Sequence, residues 1–307
     1  MLRVIITGVS SFTGAWIAAE LARDGHRVTG TLQRSRAEYP DLEARRIVMA
    51  QALGVELAER VSYGSPRFTG LIDRGCDVLC YHGADVRDYR SPDFDVPRAV
   101  AANLAGFAET CSRAVAAGTG RLIYTGSVGE PGEGGGTEPD RAISPYGLSK
   151  GLTWQAIERE TGRAGLQLGK FVVSNPFGML EQERFCTYLV RSWSRGEVPE
   201  VRTPDYVRDN IPIDKLARAY ADFVARPDLE RWAPSGYVGT QGEFTARFAR
   251  EIGARLPLPT PFVLATQTEF SEPMIRINAD LQVSAWDETG FWDALAADYA
   301  ERVLRKP

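Results

Sequence analysis

The chain has few of the residues that build metal centres, disulfides or hydrolytic triads. Its 307 residues include two histidines and four cysteines. Cys76 and Cys80 have no histidine or cysteine partner at zinc spacing, so we expect free buried thiols in a reducing cytoplasm and no metal site. With only His26 and His82, a Ser-His-Asp triad is not expected. Proton transfer, if the protein performs it, is therefore expected to use other side chains.

Neither the charge nor the hydrophobic pattern indicates nucleic acid or a membrane as a partner. The net charge of −4 gives no global basic field. We find no run of about 18 apolar residues that could span a bilayer. The first eight residues lead directly into a glycine turn, which is not typical of a signal peptide. We expect a cytoplasmic globular protein.

Lysine is rare as well, and most of the 36 basic residues are arginines. Tyr146 and Lys150 stand four residues apart, and this spacing places two side chains on one helix face. An ammonium ~4 Å from a phenol at an effective dielectric of ~20 would favour the phenolate by ~4 kcal/mol. That attraction predicts a Tyr146 pKa lowered from ~10 to ~7. The pair is therefore predicted to act as a general acid/base.

Strands and helices alternate through the first half of the chain, which predicts an α/β fold. The predicted strands are 3–7, 27–32, 77–81, 120–125 and 166–173, and helices are predicted at 14–24 and from Tyr146 to about Arg163. We therefore expect a Rossmann-type doubly wound parallel sheet over residues 1–175. The alternation breaks after Asn175. Residues 176–307 are predicted to form a smaller substrate-binding lobe, interleaved with the last elements of the sheet.

Four other segments have less regular patterns. Residues 43–58 are predicted to be helical, and residues 60–63 to be a strand. Residues 97–117 are predicted to form one long amphipathic helix. The glycine-rich segment 130–137 is predicted to be a mobile loop close to the site.

The turn Thr7–Gly14 follows a strand and opens a helix, which is the context of a dinucleotide phosphate site. Glycines allow the tight turn and let backbone N–H groups approach a pyrophosphate at the helix N-terminus. Ser11 stands where glycine is usual. The residues predicted to bind the cofactor here are Gly8, Ser10, Ser11, Phe12, Thr13 and Gly14.

The second predicted strand does not end in the acidic residue that usually holds the ribose of NAD. Leu32 or Gln33 occupies that position, and Arg34, Ser35 and Arg36 follow. Arginine and serine suit a 2′-phosphate, so NADP is predicted in preference to NAD. A solvated basic loop is the alternative interpretation.

These motifs resemble the extended short-chain dehydrogenase/reductases, in the group of nucleotide-sugar epimerases, dehydratases and reductases. Residues 7–14 match TGxxGxxG except at Ser11, and residues 77–84 are similar to DVVxHLAA, with Tyr81 and His82 departing from its usual His-Leu. The resemblance implies a structural role for His82. It also implies that the cofactor site includes Gly83, Ala84, Asn103 and Thr125, together with Tyr146 and Lys150.

The resemblance implies a catalytic serine as well, which aligns best with Ser127, and Thr125 is the reserve candidate. Tyr146 would exchange a proton with a sugar oxygen, Ser127 would hydrogen-bond that oxygen, and Lys150 would hold the nicotinamide ribose. Substrate contacts are implied for Asn175 and for Arg208, for which a structural arginine is the alternative. The proposed wall residues are Arg184, Phe185, Arg202 and Tyr206.

Reaction type is predicted from the residues after Ser127. Dehydratases of this group carry an acid/base pair there, whereas this chain has Val128 and Gly129, with Glu130 one residue late. Dehydration is therefore disfavoured. We predict NADPH-dependent reduction of a 4-keto nucleotide sugar in carbohydrate biosynthesis, with a nucleotide-sugar 4-epimerase that retains NAD as the alternative. A non-catalytic dinucleotide sensor is disfavoured, because such relatives typically lose the Tyr and Lys that this chain keeps.

The resemblance finally implies a homodimer. Relatives pair through two helices from each subunit, which form a four-helix bundle. The corresponding segments here are 97–117 and 147–163. Ala99, Phe107 and Cys111 belong to an apolar stripe that is predicted to be wide enough for two contact faces.

Overall fold

The structure is a computed structural model, and it describes residues 1–281 and 284–304. The elements up to the first glycine-rich loop are β1 (Arg3–Ile6), α1 (Phe12–Arg23), β2 (Arg27–Thr31), α2 (Asp41–Ala52), β3 (Glu56–Ala58), α3 (Pro66–Ile72), β4 (Val78–Tyr81), α4 (Val96–Asn103), α5 (Phe107–Ala116) and β5 (Arg121–Ser127). The following elements are β6 (Gly135–Gly136), α6 (Pro145–Ala164), β7 (Gln167–Val173), β8 (Asn175–Phe177), α7 (Phe185–Ser194), β9 (Glu200–Val201), β10 (Val207–Pro212), α8 (Ile213–Ala225), β11 (Arg231–Trp232), β12 (Tyr237–Thr240), α9 (Gln241–Gly253), β13 (Val263–Leu264), β14 (Ile275–Ile277) and α10 (Glu288–Tyr299).

Seven parallel strands form the main sheet in the order β11-β7-β5-β4-β1-β2-β3. The chain builds outward from β1 to β3, then returns to the centre and builds in the other direction from β4. The switch point therefore lies between β1 and β4, where a crevice opens beyond the carboxyl ends of the strands. The predicted doubly wound α/β fold is confirmed.

Alternate residues of β1 hold helices on opposite faces of the sheet. Val4 and Ile6 pack in one hydrophobic core, which includes Ile17 of α1. Ile5 packs in the other core, with Ile157 of α6. Because successive strand side chains point to opposite faces, a short run of aliphatic residues anchors both helical layers. This packing fixes the carboxyl end of β1, from which the first glycine turn leaves.

A second sheet is assembled from segments that are far apart in the chain. Its order is β12-β10-β14-β6, and β8 also pairs with β10. Residues 135–136, which form β6, come from the first half of the chain, whereas residues 231–232 return to the main sheet as β11 beside β7. The two parts are thus interleaved, and the functional division at residue 175 stays a prediction.

Two predictions near α2 are wrong, one in the end of a helix and the other in the existence of a strand. The helix predicted at 43–58 ends at Ala52, because Gly54 adopts a φ of +97°. Residues 56–58 then form β3 instead of a last helical turn. The strand predicted at 60–63 does not form, and Arg60 has a φ of 57° that an extended strand cannot contain.

The long helix predicted at 97–117 is two helices, α4 and α5. Gly106 separates them with a φ of +64°, and a Cβ on this residue would lie 2.7 Å from the Cα of Gly64. The chain therefore breaks where two backbones meet. Ala99, Phe107 and Cys111 of the predicted stripe are buried within the subunit's own core. These three residues are consequently not available to a partner subunit.

The cysteines are buried free thiols, as predicted. Burial raises the pKa of Cys80 to about 12. Within residues 1–281 and 284–304, no group of three His, Cys, Asp or Glu side chains is placed to hold a metal ion. No helix in these ranges has the length and apolar character needed to cross a membrane.

Candidate active site

A cavity of about 1660 Å³ opens beyond the carboxyl ends of β1, β4 and β5. It extends to residues of β9, of β10 and of the segment between them. This is the crevice in which α/β sheets bind ligands. Most of the predicted site residues line it. They are Gly8, Ser10, Ser11, Phe12, Thr13, Gln33, Gly83, Ala84, Thr125, Ser127, Tyr146, Lys150, Asn175, Arg184, Phe185, Arg202, Tyr206 and Arg208.

The first glycine turn forms a cradle without room for side chains. A Cβ on Gly8 would lie 2.9 Å from the Cα of Gly83, and a Cβ on Gly14 would lie 2.4 Å from the carbonyl oxygen of Gly8. Ser11, the departure from the glycine pattern, is the N-cap of α1, and its hydroxyl accepts a hydrogen bond from the Gly14 N–H at 3.1 Å. Open backbone N–H groups at a helix N-terminus suit a pyrophosphate.

His82 joins this turn to the strand that carries Ser127. Its Nε2 lies 3.0 Å from the Thr13 hydroxyl, and its Nδ1 lies 3.1 Å from the Thr125 hydroxyl. Burial and the charge of Lys150 lower the pKa of His82 to about 3, so its ring is neutral. The Thr125 hydroxyl is also 3.1 Å from the Tyr220 hydroxyl. Thr125 is thus fully engaged in this network, and Ser127 is the better placed of the two hydroxyl candidates.

The start of α6 fixes Tyr146. Ser144 is the N-cap, accepting from the Gly147 N–H at 3.2 Å, and Pro145 follows as the first helical residue. The helix approaches the loop after β5 so closely that a Cβ on Gly147 would lie 2.2 Å from the Gly129 carbonyl oxygen. Only glycine fits there, and the contact holds Tyr146 against the end of β5.

Ser127, Tyr146 and Lys150 line the same cavity. The Lys150 ammonium donates to the Thr125 carbonyl at 2.7 Å. The Ser127 hydroxyl, two residues further along that strand, accepts from the Gly129 N–H at 3.2 Å. The arrangement can present a hydroxyl, a phenol and an ammonium to one ligand.

The predicted lowering of the Tyr146 pKa is wrong for this chain. Burial raises the pKa of Tyr146, the charges of Glu130 and Tyr89 raise it further, and Arg184 opposes them only in part. Burial also lowers the pKa of Lys150 to about 8, although Glu130 favours its ammonium form. The spacing of Tyr146 and Lys150 indicates only the attraction between their charges, whereas the cost of removing both groups from water depends on their burial in the fold.

The loop after β5, which is predicted to be mobile, is anchored by buried contacts. Glu130 is fully buried, and its carboxylate accepts from the Ser127 N–H at 2.7 Å and pairs with Lys170 at 2.7 Å. Arg276 of β14 donates to the carbonyl oxygens of residues 130, 133, 138, 139 and 141. Because both Glu130 oxygens are engaged away from the cavity, this carboxylate is not placed to remove water from a sugar.

The arginines predicted to hold a 2′-phosphate are paired with carboxylates. Arg34 binds Glu43 at 3.1 Å, and Arg36 binds Glu59 at 3.0 Å. The Ser35 hydroxyl donates to the same Glu59 at 3.0 Å. None of these three predicted residues lines the cavity, whereas Glu43 does. The described contacts therefore direct neither the Arg34 nor the Arg36 guanidinium into the cavity.

Asn103 lies behind the cavity instead of in its wall. Its side chain is buried, accepts from the Asp85 N–H at 2.7 Å and donates to the Thr153 hydroxyl at 3.3 Å. It thus ties α6 to the loop after β4.

The residues predicted to contact substrate differ in how many of their side-chain hydrogen-bonding groups are already used by protein partners. Arg208 donates to the carbonyl oxygens of residues 207, 273 and 274 and pairs with Glu272 at 2.9 Å. Asn175 donates to the Asp209 carbonyl at 3.3 Å. Arg184 has a buried Nε with no hydrogen-bond partner among the described residues. Arg184 therefore keeps a buried donor for a ligand, whereas the Arg208 guanidinium is engaged by protein groups.

Comparison with known proteins agrees with this geometry. Residues 4–231 match the NAD dependent epimerase/dehydratase family. The chain belongs to this family. Cinnamoyl-CoA reductase 1 of Oryza sativa subsp. japonica is 25% identical over 279 residues, which cover 83% of this chain and 77% of the relative.

Solved structures of two UDP-sugar 4-epimerases share the fold at low sequence identity. A UDP-glucose 4-epimerase of Thermotoga maritima with UDP-glucose has a TM-score of 0.72 at 16% identity and covers 97% of this chain and 99% of its own. A UDP-glucuronic acid 4-epimerase of Bacillus cereus with UDP-glucuronic acid and NAD has a TM-score of 0.72 at 14% identity, with the same coverage. The present protein is an NAD(P)-dependent enzyme of the extended short-chain dehydrogenase/reductase type.

Sequence reasoning missed two features around Tyr146 and Lys150. Tyr89 and Phe94 stand edge-on to Tyr146, with ring centroids 5.6 and 5.9 Å away. Lys170 lies buried beneath Glu130. The rarity of lysine, which drew attention to Lys150, was also a signal for Lys170. The segment that holds Tyr89 and Phe94 has no periodic pattern, so its fold over Tyr146 was not readable.

Proposed function

We propose that the protein is a nucleotide-sugar 4-epimerase that retains NAD. The observation that carries this choice is the pairing of Arg34 with Glu43 and of Arg36 with Glu59. A 2′-phosphate would have to compete with both carboxylates and would meet Glu43 at the cavity wall. NAD, which lacks that phosphate, meets no such repulsion. An enzyme that returns its hydride to the same substrate needs no exchange of cofactor.

Each residue of the site has a separate role in the proposed reaction. Tyr146 removes the proton from the C4 hydroxyl and later returns it, and Ser127 donates a hydrogen bond to the same oxygen. Lys150, held by the Thr125 carbonyl, presents its ammonium to the nicotinamide ribose and to the phenolate. When bound, NAD would supply the acceptor and donor of the C4 hydride, and the positive charge of its oxidised form would favour the Tyr146 phenolate. The lobe of residues 176–307 holds the nucleotide, with Arg184 at its diphosphate.

Relatives of known structure support the proposal by analogy. The Thermotoga and Bacillus enzymes are 4-epimerases bound to UDP-sugars, and the Bacillus enzyme holds NAD. The buried, doubly engaged Glu130 disfavours the dehydratase reaction. The choice of sugar depends on the wall around Arg184.

The proposal is tested with the purified protein. Acid release followed by mass spectrometry is expected to find NAD at close to one per chain, and titration of emptied protein is expected to give tighter binding of NAD than of NADP. UDP-glucose and other nucleotide hexoses should then form C4 epimers without added cofactor. Preferential binding of NADP with no epimer formed would refute the proposal.

The second candidate is NADPH-dependent reduction of a 4-keto nucleotide sugar. It is favoured by Arg34 and Arg36, which are about half exposed and could exchange their carboxylate partners for a phosphate. The reductase predicts stoichiometric NADPH oxidation on addition of a 4-keto-6-deoxy nucleotide sugar. The epimerase predicts no net change at 340 nm, the wavelength of NADPH absorbance, when a nucleotide hexose is added.

We also propose that the protein is a homodimer through α5 and α6. Leu148 and Leu152 lie one turn apart on α6 and are about two-fifths exposed, as is Val115 of α5. Exposed apolar side chains on neighbouring helices are typical of a subunit contact. Sedimentation should give a dimer, and Leu148→Glu should dissociate it. A monomeric parent protein would exclude the four-helix bundle.

A further inference from the structure

A buried chain of charges lies directly beneath the proposed catalytic residues. Lys170 is 4% exposed and sits between two carboxylates, with its ammonium 2.7 Å from Glu130 and 2.7 Å from Glu133. Glu133 continues the chain to Arg231 at 2.8 Å, near the protein surface. Buried ion pairs contribute little net stability, because desolvation offsets the attraction. The location of this network therefore calls for another role.

Glu130 links the network to the site through two contacts. One oxygen accepts from the Ser127 N–H at 2.7 Å, so the carboxylate fixes the end of β5 where the Ser127 hydroxyl projects. The other oxygen pairs with Lys170. Space is minimal, since a Cβ on Gly126 would lie 2.8 Å from Lys170 Cε and 3.0 Å from Glu130. The network is thus packed against the back of the catalytic strand.

We propose that Glu130 is a positioning residue for the Ser127–Tyr146–Lys150 site, and that Lys170 tunes it. The Glu130 carboxylate fixes the Ser127 main chain and supplies the buried negative charge that keeps Lys150 as an ammonium. Lys170 balances that carboxylate, so that the negative charge does not suppress the Tyr146 phenolate. The roles assigned to these three residues rest on the proposed function, whereas the coupling of charges does not.

Several groups facing Lys150 affect its pKa, and a test must separate their effects. Glu130 favours the Lys150 ammonium, and burial and Lys170 disfavour it. His82 also faces Lys150 but is neutral, with a pKa of about 3. Tyr146 is faced by Glu130, Tyr89 and Arg184. Removing the Glu130 charge and removing the Lys170 charge should therefore move the Lys150 pKa in opposite directions.

The experiment uses the scarcity of lysine. With side chains labelled by 13C at Cε, the protein gives few lysine signals, and Lys150→Met identifies that of Lys150. The titration midpoint of Lys150 in each variant is then measured without substrate and compared with that of the parent protein, which is expected at about 8. Glu130→Gln, which can still accept from the Ser127 N–H, should lower the midpoint by about one pH unit. Lys170→Met should raise it by about one pH unit.

The double variant Glu130→Gln/Lys170→Met keeps the test valid if one single variant folds poorly. Its buried pair is neutral, and its midpoint should lie within about half a unit of the parent, because the two effects oppose each other. Glu133→Gln is the matched control, since it removes a carboxylate from Lys170 without touching Ser127, and it should move the midpoint by less than Glu130→Gln. Shifts of the single variants in the same direction, or no shift in either, would overturn the proposal.

A second measurement tests the effect on Ser127. At the pH optimum, Glu130→Ala should lose about tenfold more turnover than Glu130→Gln, because only glutamine retains an acceptor for the Ser127 N–H. Equal losses would overturn the positioning role. If the parent protein itself shows no epimerase or reductase turnover, the proposed function fails, while the lysine titration still decides the coupling.

Discussion

The ammonium of Lys150 donates a 2.7 Å hydrogen bond to the main-chain carbonyl of Thr125. This contact ties α6, which carries Tyr146, to β5, which carries Ser127. The position of the Tyr146 phenol relative to the Ser127 hydroxyl is therefore fixed in part by the hydrogen bond from Lys150 to the Thr125 carbonyl. Lys150 has a structural task in addition to the chemical one proposed for it.

Tyr146→Phe is expected to lower turnover by about 10²- to 10⁴-fold, because phenylalanine keeps the ring packing and removes the proton-transfer group. NAD binding should be unchanged, since the edge-on contacts of Tyr89 and Phe94 involve only the ring. Initial rates and an NAD titration of the same preparation check both statements. Retention of more than a tenth of the activity would exclude Tyr146 as the base.

Gly147→Ala should displace α6 and reduce both stability and turnover. Its Cβ would lie 2.2 Å from the Gly129 carbonyl oxygen, so one of the two backbones must move. Gly162→Ala is the matched control on the same helix, because a Cβ there meets nothing within 4 Å. The control should stabilise the protein by about 0.5–1 kcal/mol. Urea unfolding and initial rates would show the contrast, and equal behaviour of the two variants would contradict the account.

Removal of two carboxylates should alter cofactor preference. In Glu43→Gln/Glu59→Gln, Arg34 and Arg36 lose their partners, and the affinity for NADP relative to NAD should rise about tenfold. Glu56→Gln, which removes an exposed carboxylate from β3, should leave the ratio unchanged. Fluorescence titrations with both cofactors measure it. An unchanged ratio in the double variant would mean that the carboxylates do not govern selectivity.

The buried Glu181 should make the protein less stable as the pH rises. Burial raises the pKa of Glu181 to about 7, whereas an unfolded glutamate ionises near its ordinary value of 4.5. The folded state thus binds more protons between these values, and the stability from this group is lost as the pH rises through about 7.

The free energy of unfolding of Glu181→Gln, relative to that of the parent, should therefore increase by ~1–3 kcal/mol from pH 5.5 to pH 8. Urea unfolding at both values measures the difference, and Glu183→Gln is the exposed neighbouring control. A difference that is independent of pH would show that Glu181 does not titrate in this range.

The sequence predicted best where local chemistry decides the outcome. The first turn was readable because Gly8 and Gly14 are required where two backbones meet. The pair of Tyr146 and Lys150 was readable because helix geometry alone brings them together. The split at Gly106 was missed, since it depends on the approach of Gly64 from a distant segment.

The electrostatics could not be predicted, because they depend on burial and on distant partners. Lys170 lies in β7, twenty residues after Lys150, and Glu130 meets it only when β5 and β7 are neighbours in the sheet. Likewise, Glu59 follows β3 and is 23 residues from Arg36, which it neutralises. Spacing along the chain gave no sign of either contact.

The most direct test of the central claim follows hydrogen at C4. Purified protein without added cofactor is incubated with UDP-glucose that carries deuterium at C4, and the products are examined by NMR. We expect a C4 epimer that retains the deuterium at C4, because retained NAD would take up and return the same deuteride. The absence of any epimer from this and other nucleotide hexoses, together with NADPH consumption on a 4-keto nucleotide sugar, would contradict the account.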